Sequence, residues 1–424
     1  MEKNYPSKHY PMNNKAITIN RISKEKGELR IYSEISTDIK QYFKENDYCF
    51  YAKYNIDISN VPDSIAIIPF LTNVLPFIWL ANVTIYLDEL DLAFYEHIVN
   101  IRHGYEKMYP KLKFDGHLVI GKLVDNKWEN NKYGLLFSGG VDAFASLVAH
   151  ADQHPDLITV QGSDIHLDEM DAWHRVLKQN KLVCHDFGVH QFTIQSNYCQ
   201  FLNYGELQNL IIESGENWWH GFQHGIGLIG QTAPLAYNRY SIVYIASSYT
   251  ATDQVTCASA PEIDNNVHFG SCGVIHDQYE FNRIEKTQHI AQYALQKGIT
   301  PYLRVCFMSS DGHNCNRCEK CIRSAAAIAL LGYNPQDFGF ASSEKIFHNS
   351  RIKVLSQIAP TAIPLWEDIK AVALKKNINP GGMHINNLKW LIQCDLGKGM
   401  TSFPIRCIRF LRRKFPKLIK TLDL

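Results

Sequence analysis

The spacing of apolar residues divides the chain into three regions and predicts an α/β protein. In residues 1–127, short apolar runs at 29–32 and 48–51 predict strands, and apolar residues at helical spacing predict an amphipathic helix over 87–109. A lysine- and asparagine-rich stretch at 126–132 marks the end of this region. We therefore expect the first region to form an N-terminal α+β domain.

Residues 128–340 alternate between strand-like and helix-like segments. The apolar runs that predict strands are 133–137, 157–160, 190–194 and 242–246. The stretches that predict helices are 143–151, 168–180 and 283–296. This alternation is typical of a parallel sheet with helices on both faces. Residues 341–424 are predicted to be a helical C-terminal region that ends in a basic tail.

Composition narrows the class of protein. Hydrophobic residues make up 46% and charged residues 20% of the 424 residues, which is typical of an ordered globular chain. A net charge of +1 gives no overall attraction for nucleic acid, so we do not expect a nucleic-acid partner. The longest apolar stretch, 65–81, contains Pro69 and Pro76 and is short for a membrane span. We expect it to be buried in the N-terminal domain.

Cysteine usage predicts a metal site in a reducing compartment. The chain has 11 cysteines and a polar start with no apolar signal core, so we expect a cytoplasmic protein. Four cysteines are closely spaced, namely Cys306, Cys315, Cys318 and Cys321. Four thiolates complete the tetrahedral shell of a structural Zn²⁺ ion; buried free thiols or a redox pair are the alternatives. The cations that would offset the thiolate charge are Arg317, Lys320 and Arg323.

A glycine-containing loop follows the predicted strand 133–137 and precedes a predicted helix. It consists of Ser138, Gly139, Gly140, Val141 and Asp142. Glycines allow a tight turn and a close approach to a ligand, and the amides at a helix start favour an anion. Ser138 adds a hydroxyl, and Asp142 is a candidate ligand for Mg²⁺. A plain strand-to-helix turn would use the same glycines.

Further candidate ligand contacts lie beyond this loop. Gly162 and Asp164 follow the second predicted strand, where open α/β sheets bind ligands; an ordinary loop aspartate is the alternative. Arg283 and Lys286 are candidates for phosphate or carboxylate contacts, although a solvated helix face explains them equally well. Histidines of the middle region are predicted to be satisfied core or surface side chains. They are His220, His224, His268 and His276.

The loop and the cysteines together carry a resemblance to a known family. The loop resembles the Ser-Gly-Gly-x-Asp-Ser motif of the PP-loop (N-type) ATP pyrophosphatases, except that Ala143 stands in place of the last hydroxyl residue. The Cys-x8-Cys-x2-Cys-x2-Cys spacing is similar to that of the 7-cyano-7-deazaguanine synthase family. Residues 283–286 stand where that family has a lysine-containing helix. The resemblance covers about 133–332, and the family's substrate-binding stretch is only faintly echoed in 248–264.

This resemblance implies a fold, cofactors and a reaction. The fold would be a PP-loop core, similar to the adenine nucleotide α-hydrolases. The cofactors would be ATP, Mg²⁺ and Zn²⁺. ATP bound at 138–142 would adenylate a small-molecule carboxylate, and an amine or ammonia would then displace AMP. Ser138, Asp142 and Lys286 would be the catalytic residues.

Three functions remain open from the sequence. The first is amide or nitrile formation on a deazaguanine-like acid, with a variant that joins the acid to a macromolecular amine in a defence or modification pathway. In that variant the N-terminal domain would hold a protein acceptor. The second is action on a sugar or amino acid in surface-polysaccharide assembly. The third is a non-catalytic, zinc-stabilised nucleotide-binding module, which the missing hydroxyl at Ala143 favours.

The C-terminal tail suggests a surface partner. Seven Lys or Arg residues between Arg406 and Lys420 are interleaved with apolar residues. Such a helix can lie on an anionic membrane or bind a partner, or simply dock as a terminal helix with a solvated charged face. Pro416 interrupts the pattern. We also expect a homo-oligomer.

Overall fold

A single mixed sheet runs through the protein. The computed structural model describes residues 15–44, 48–253, 255–306, 308–375 and 385–415. Eleven strands are present in these ranges: β1 (Ala16–Glu25), β2 (Glu28–Ile35), β3 (Cys49–Tyr54), β4 (Thr84–Asp91), β5 (His117–Val124), β6 (Lys132–Leu136), β7 (Asp156–Gln161), β8 (Gln191–Ser196), β9 (Tyr240–Ala246), β10 (His268–Phe269) and β11 (Cys272–Asp277).

The strand order places a parallel block beside the N-terminal strands. The order is β10-β11-β9-β6-β7-β8-β3-β2-β1-β4-β5, and β11, β9, β6, β7 and β8 are mutually parallel. Strand β3 pairs antiparallel with β8, so the strands of 1–127 extend the same sheet instead of forming a second one. The predicted α/β class with a large, mostly parallel sheet is therefore confirmed.

Helices cover both faces of this sheet. The longer ones are Ile68–Ala81, Leu92–Met108, Val141–Ala149, Met170–Phe187, His224–Gln231, Arg283–Lys297, Glu319–Leu331, Ile363–Lys375 and Phe403–Lys414. Shorter helices are Asp63–Ala66, Tyr198–Phe201, Tyr204–Leu207, Ala233–Ala236, Pro261–Asp264, Ser343–Phe347, Ser350–Leu355, Trp390–Gln393 and Leu396–Thr401. The helix predicted over 87–109 was wrong in its first turn, because β4 continues to Asp91 and the Asp91 carboxylate then caps the helix at the amide of Phe94.

Alternating side chains of the parallel strands feed two hydrophobic cores. Ile158 and Val243 belong to the core that contains the helix Ile68–Ala81. Their sequence neighbours Leu157 and Tyr244 belong to the core beneath the glycine-containing loop and the cysteines. Because successive strand residues point to opposite faces, this alternation confirms that both faces of the sheet are buried.

The apolar stretch predicted to be buried is the centre of the first core. In the helix Ile68–Ala81 every residue except Leu80 is buried, with Pro76 inside the helix. Within the described ranges, we find no helix that is both long and apolar enough to cross a membrane. The C-terminal region is helical where it is described, as predicted; Pro416 and the rest of 416–424 lie outside the described residues.

An aromatic cluster joins the N-terminal strands to the parallel block. The fully buried ring of Phe201, just after β8, lies 5.5 Å from Phe43, 5.6 Å from Phe50 and 5.6 Å from Phe70 between ring centroids. Edge-to-face contacts of this kind add to the free energy of burial. Phe201 therefore stabilises the junction between β3 and β8.

We predict that Phe201→Ala lowers the free energy of unfolding by about 3–5 kcal/mol, because it leaves a cavity between the two parts of the sheet. Urea denaturation followed by tryptophan fluorescence measures this. Phe403→Ala is the matched control, since Phe403 is 77% exposed and its loss should change stability little. A loss below about 1 kcal/mol for Phe201→Ala would show that the cluster does not hold the junction.

Candidate nucleotide site and metal centre

The glycine-containing loop connects β6 to the helix Val141–Ala149. Gly139 adopts a φ of 79°, in the left-handed region that favours glycine, and Gly140 is the N-cap of the helix. Because glycine has no side chain, Gly140 cannot cap the helix, and no N-cap side chain accepts a hydrogen bond from the first-turn amides of Val141–Ala149. Ser138 is exposed, and its Oγ accepts a hydrogen bond of 3.3 Å from the Gly140 amide. The loop thus presents free donors at one end of β6.

Arg304 holds this loop in place. The Arg304 amide donates to the Gly139 carbonyl at 2.8 Å, and its Nε donates to the Ser138 carbonyl at 3.0 Å. The side chain is 9% exposed, and burial lowers its pKa, while the charges of Asp164 and Cys306 act in the opposite direction. Because both loop carbonyls face Arg304, the amides of the loop are left for another partner.

Asp142 sits between two buried cations at the start of the same helix. Arg283 Nη2 lies 2.6 Å from Asp142 Oδ2, and Lys286 Nζ lies 3.8 Å from Asp142 Oδ1. Lys286 is 1% exposed and also donates to the Ser247 carbonyl at 2.6 Å. Burial lowers its pKa, and the negative charge of Asp142 opposes that change. Arg283 and Lys286, the two contact residues predicted on the helix Arg283–Lys297, are therefore buried and do not lie on a solvated face.

Two more cations come from the helix Glu319–Leu331. Arg323 is 4% exposed, and its pKa is lowered by burial, with Glu319, Arg283 and Asp142 as charged neighbours. Lys320 is half-buried, and burial lowers its pKa too, with Asp164 as the first opposing charge. The charge of Asp142, at the end of the glycine-containing loop, acts on both side chains.

The guanidinium groups in this cluster have donors without acceptors. Within the described residues, Nε and Nη1 of Arg323 and Nε of Arg283 are buried and make no hydrogen bond. Arg323 Nε reaches only 3.4 Å from Glu319 Oε1, which is occupied by Trp366 Nε1 at 2.6 Å. Unpaired buried donors are costly, so the arrangement favours an anion with several oxygens.

Gly162 and Asp164, the two candidate residues that follow β7, have different roles. Gly162 has a φ of 119°, and a Cβ there would lie 2.0 Å from the Ser196 carbonyl, so the position requires glycine for packing against β8. Asp164 is exposed at the carboxyl edge of the sheet, and its charge acts on Lys320, Arg304 and His224. Asp164 therefore borders the cationic cluster.

An aromatic wall stands next to the cations. Trp219 begins a π-helical turn, a feature frequent at functional sites, and its ring lies 5.1 Å from His224 and 6.0 Å from Tyr198. Trp219 is half-buried. Tyr249 lies 6.4 Å from the ring of His220 between centroids, and burial raises its pKa while the charges of Arg283 and Arg323 act in the opposite direction. The half-buried ring of Trp219 offers a stacking surface for a planar ligand.

Two histidines of the middle region face this wall, in contrast to the other two. His220 Nδ1 lies 2.9 Å from Glu216 Oε2, and its ring lies 6.4 Å edge-on from Tyr249. His224 Nδ1 lies 3.8 Å from Cys257 Sγ. By comparison, His276 is buried against Asp264 at 2.8 Å, and His268 stacks on His97 at 4.0 Å; these are packed side chains of the expected kind.

The four closely spaced cysteines converge on one point. All four Sγ atoms lie within 4.8 Å of one another, with Cys306 to Cys318 at 3.8 Å and Cys315 to Cys321 at 3.9 Å. Zinc–sulfur bonds of about 2.3 Å in a tetrahedron give sulfur–sulfur edges of about 3.8 Å, so the cluster fits Zn²⁺. Three of the four are buried. This group can hold a metal such as zinc.

Backbone amides support the sulfurs. The Cys318 amide lies 3.3 Å from Cys315 Sγ, and the Cys321 amide lies 3.4 Å from Cys318 Sγ. Cys318 is also the N-cap of the helix Glu319–Leu331. The same helix carries Lys320 and Arg323, so the cysteine cluster fixes the start of the element that supplies two cations to the loop.

Comparison with protein-family models, with curated proteins and with solved structures finds no match for this chain. The local geometry alone therefore carries the functional argument.

The structure brings together most of the residues singled out from the sequence. The loop 138–142, Asp164 and Lys286 lie around one cluster of charges, whereas Gly162 supports the sheet behind it. Arg304 was missed as a contact of the loop. The sequence predicted that Trp218 and Trp219 pack in the core, with stacking on a purine as the alternative; Trp218 is buried and Trp219 is half-buried. The sequence signal for a cationic cluster here was the presence of Lys320 and Arg323, three residues apart on a helix that starts in the cysteine motif.

We predict that the purified protein contains about one zinc ion per chain and that Cys321→Ser loses it and lowers the melting temperature, because the buried sulfur completes the shell. Elemental analysis and thermal denaturation measure both effects. Cys407→Ser is the matched control, since Cys407 is exposed and outside the cluster. Metal-free protein that gains no stability from added Zn²⁺ would contradict the assignment.

A pH effect follows from His224. Burial lowers its pKa from 6.5 to about 4, so between these values the unfolded chain binds more protons than the folded one. Stability therefore falls as pH falls through this window, and we predict that His224→Gln reduces that loss by about 2–3 kcal/mol. Urea titrations at several pH values measure the difference. His185→Gln is the control, because its side chain is 88% exposed; equal pH dependence in both variants would exclude this role.

Proposed function

We propose that this protein is an AMP-forming, ATP-dependent enzyme that activates a carboxylate for carbon–nitrogen bond formation. The observation that carries the proposal is the pair of buried guanidiniums, Arg283 and Arg323, with unpaired N–H groups beside the loop 138–142. A buried cationic cluster of this size needs a polyanion to balance it. The triphosphate of ATP has the charge and the number of acceptor oxygens to do so.

The loop and the cations divide the work of holding the triphosphate. The free amides at the start of Val141–Ala149 suit one phosphate group, as helix N-termini do. Arg283, Lys286 and Arg323 suit the pyrophosphate part, where negative charge grows as it leaves. Bound Mg²⁺ would neutralise phosphate charge. Asp142 Oδ1, which is buried and makes no hydrogen bond within the described residues, is the oxygen that remains for it.

The proposed reaction has two steps. A carboxylate oxygen of the substrate attacks the α-phosphorus of ATP, and the bond to the pyrophosphate oxygen breaks. An amine then attacks the carbonyl carbon of the adenylate, and AMP leaves with its oxygen. The amine loses a proton, and we assign its acceptance to His220, whose Nδ1 lies 2.9 Å from Glu216 Oε2 and whose ring lies edge-on to Tyr249.

The aromatic wall supports a planar acid as substrate. Trp219 is half-buried and lies next to Tyr198 and His224, so it offers a ring face for stacking beside the cations. A deazaguanine-like acid has such a shape. We extend the proposal to the nucleophile, which is either ammonia or an amine of a macromolecule in a modification or defence pathway.

A second candidate is a nucleotide-binding module without catalysis. The side chain of Ala143 is 5% exposed on the first turn of the helix and supplies no hydroxyl to a phosphate. Incubation with ATP, Mg²⁺ and candidate acids, followed by separation of the nucleotides, distinguishes the two. Release of AMP and pyrophosphate supports the enzyme. Release of ADP, or ATP binding with no turnover of any acid, would overturn it.

We predict that Arg323→Gln lowers the rate of AMP formation by about 10²-fold or more, since it removes a positive charge from the leaving pyrophosphate. The rate of pyrophosphate release under ATP saturation measures this. Arg317→Gln is the matched control, because Arg317 lies between Cys315 and Cys318 but is exposed. Equal losses in both variants would mean that the effect comes from the metal centre and not from the anion site.

A further inference from the structure

The last described helix, Phe403–Lys414, packs Ile405 and Ile408 against the core but leaves aromatic side chains exposed. Its exposed face carries phenylalanines: Phe403 is 77% exposed and Phe410 is 58% exposed, and Phe415 just beyond is 54% exposed. Within the described residues, these are the only phenylalanines among the exposed large hydrophobic side chains. A helix that simply docks on a core would direct such residues inward.

Arginines occupy the opposite, docked face. Arg409 Nη2 donates to the carbonyls of Leu355 at 3.0 Å and Ile358 at 2.9 Å, and Arg412 Nε donates to Ser356 Oγ at 3.0 Å. Ile405 is buried on the same side. Arginine at the carbonyl end of the helix Ser350–Leu355 is a favourable contact. These bonds fix the rotation of the helix and therefore keep its phenylalanine face outward.

The outward face combines apolar and basic residues. Phe403, Cys407, Phe410 and Lys414 are spaced by four, three and four residues, so they form one exposed stripe. The exposed residues that flank the stripe are Arg406 and Arg413. The sequence from Leu396 to Lys420 contains no Asp or Glu, and within the described residues no ion pair involves the exposed cations of this helix.

We propose that this face docks on an anionic lipid bilayer. The phenylalanines of the stripe would enter the boundary between headgroups and acyl chains. The flanking arginines and Lys414 would contact lipid phosphates. The exposed rings project from a convex helix, which suits insertion into a layer and offers no groove for a peptide.

Charge complementarity selects the bilayer over a neutral surface. The whole chain has a net charge of only +1, so the local excess of cations on this helix is not part of a general basic character. Attraction of that kind is short-ranged and weakens with salt. Membrane contact therefore requires both acidic lipids and the exposed rings.

Co-sedimentation of the full chain with vesicles tests the proposal. We expect binding to vesicles of phosphatidylcholine mixed with phosphatidylglycerol, and little binding to phosphatidylcholine alone. The double variant Phe403→Ser, Phe410→Ser should weaken binding about tenfold or more, because it removes the apolar contact. The double variant Arg406→Gln, Arg413→Gln should weaken it about fivefold for each charge, and added salt should have the same direction of effect.

A matched control separates this face from general hydrophobicity. The double variant Leu182→Ser, Leu295→Ser removes two side chains that are 64% and 71% exposed elsewhere on the surface, and it should bind vesicles like the wild type. All variants should keep the wild-type melting temperature, since the substituted residues are exposed.

Three results would overturn the proposal. The first is equal sedimentation with both kinds of vesicle, and the second is full binding by the Phe403→Ser, Phe410→Ser variant. The third is binding of a single-stranded oligonucleotide that these variants abolish while vesicles are not bound, which would assign the face to nucleic acid. The assay contains no ATP, so its outcome is independent of the proposed enzyme activity.

Discussion

The contact of Arg304 with the glycine-containing loop is the constraint on which the rest of the candidate site depends. It joins residues 166 positions apart, at the carbonyls of Ser138 and Gly139. Arg304 is two residues before Cys306, the first cysteine of the cluster, so the hydrogen bonds of Arg304 connect the cluster to the loop. Because both carbonyls are satisfied there, the loop amides face away from Arg304. The cysteine cluster and the glycine-containing loop are thus directly connected through Arg304.

This arrangement explains how so many cations can be buried together. Each buried charge loses hydration, and burial lowers the pKa of Arg304, Lys320 and Arg323 alike. Asp142 and Glu319 offset part of the charge through ion pairs. Thiolates of a loaded cysteine cluster add further negative charge close by, which lessens the cost. The remaining unpaired donors are what an anionic ligand would satisfy, so binding and stability are coupled.

The sequence predicted the candidate site best where the residues lie close together in the chain. The loop 138–142 and the four cysteines are short motifs whose geometry follows from local turns, and the cysteines do converge. Arg304 could not be recognised, because its contacts are with a loop that is distant in the sequence. For Trp219 the sequence could not decide between core packing and stacking, because its neighbour Tyr198 comes from a separate segment. The end of β4 was misjudged for another reason: the spacing of Leu87 and Leu90 fits a helix, and only the pairing with β5 shows that this segment is a strand.

The pairing of β3 with β8 brings the N-terminal region to the edge of the proposed substrate site. Asn197, directly after β8, accepts from the Tyr51 amide at 3.0 Å and donates to the Cys49 carbonyl at 3.0 Å. The next residue, Tyr198, belongs to the aromatic wall. The start of β3 therefore borders the wall, at the carboxyl end of the parallel strands. In the proposed reaction, an acceptor held by the N-terminal strands would approach the aromatic wall from this side, because β3 pairs directly with β8.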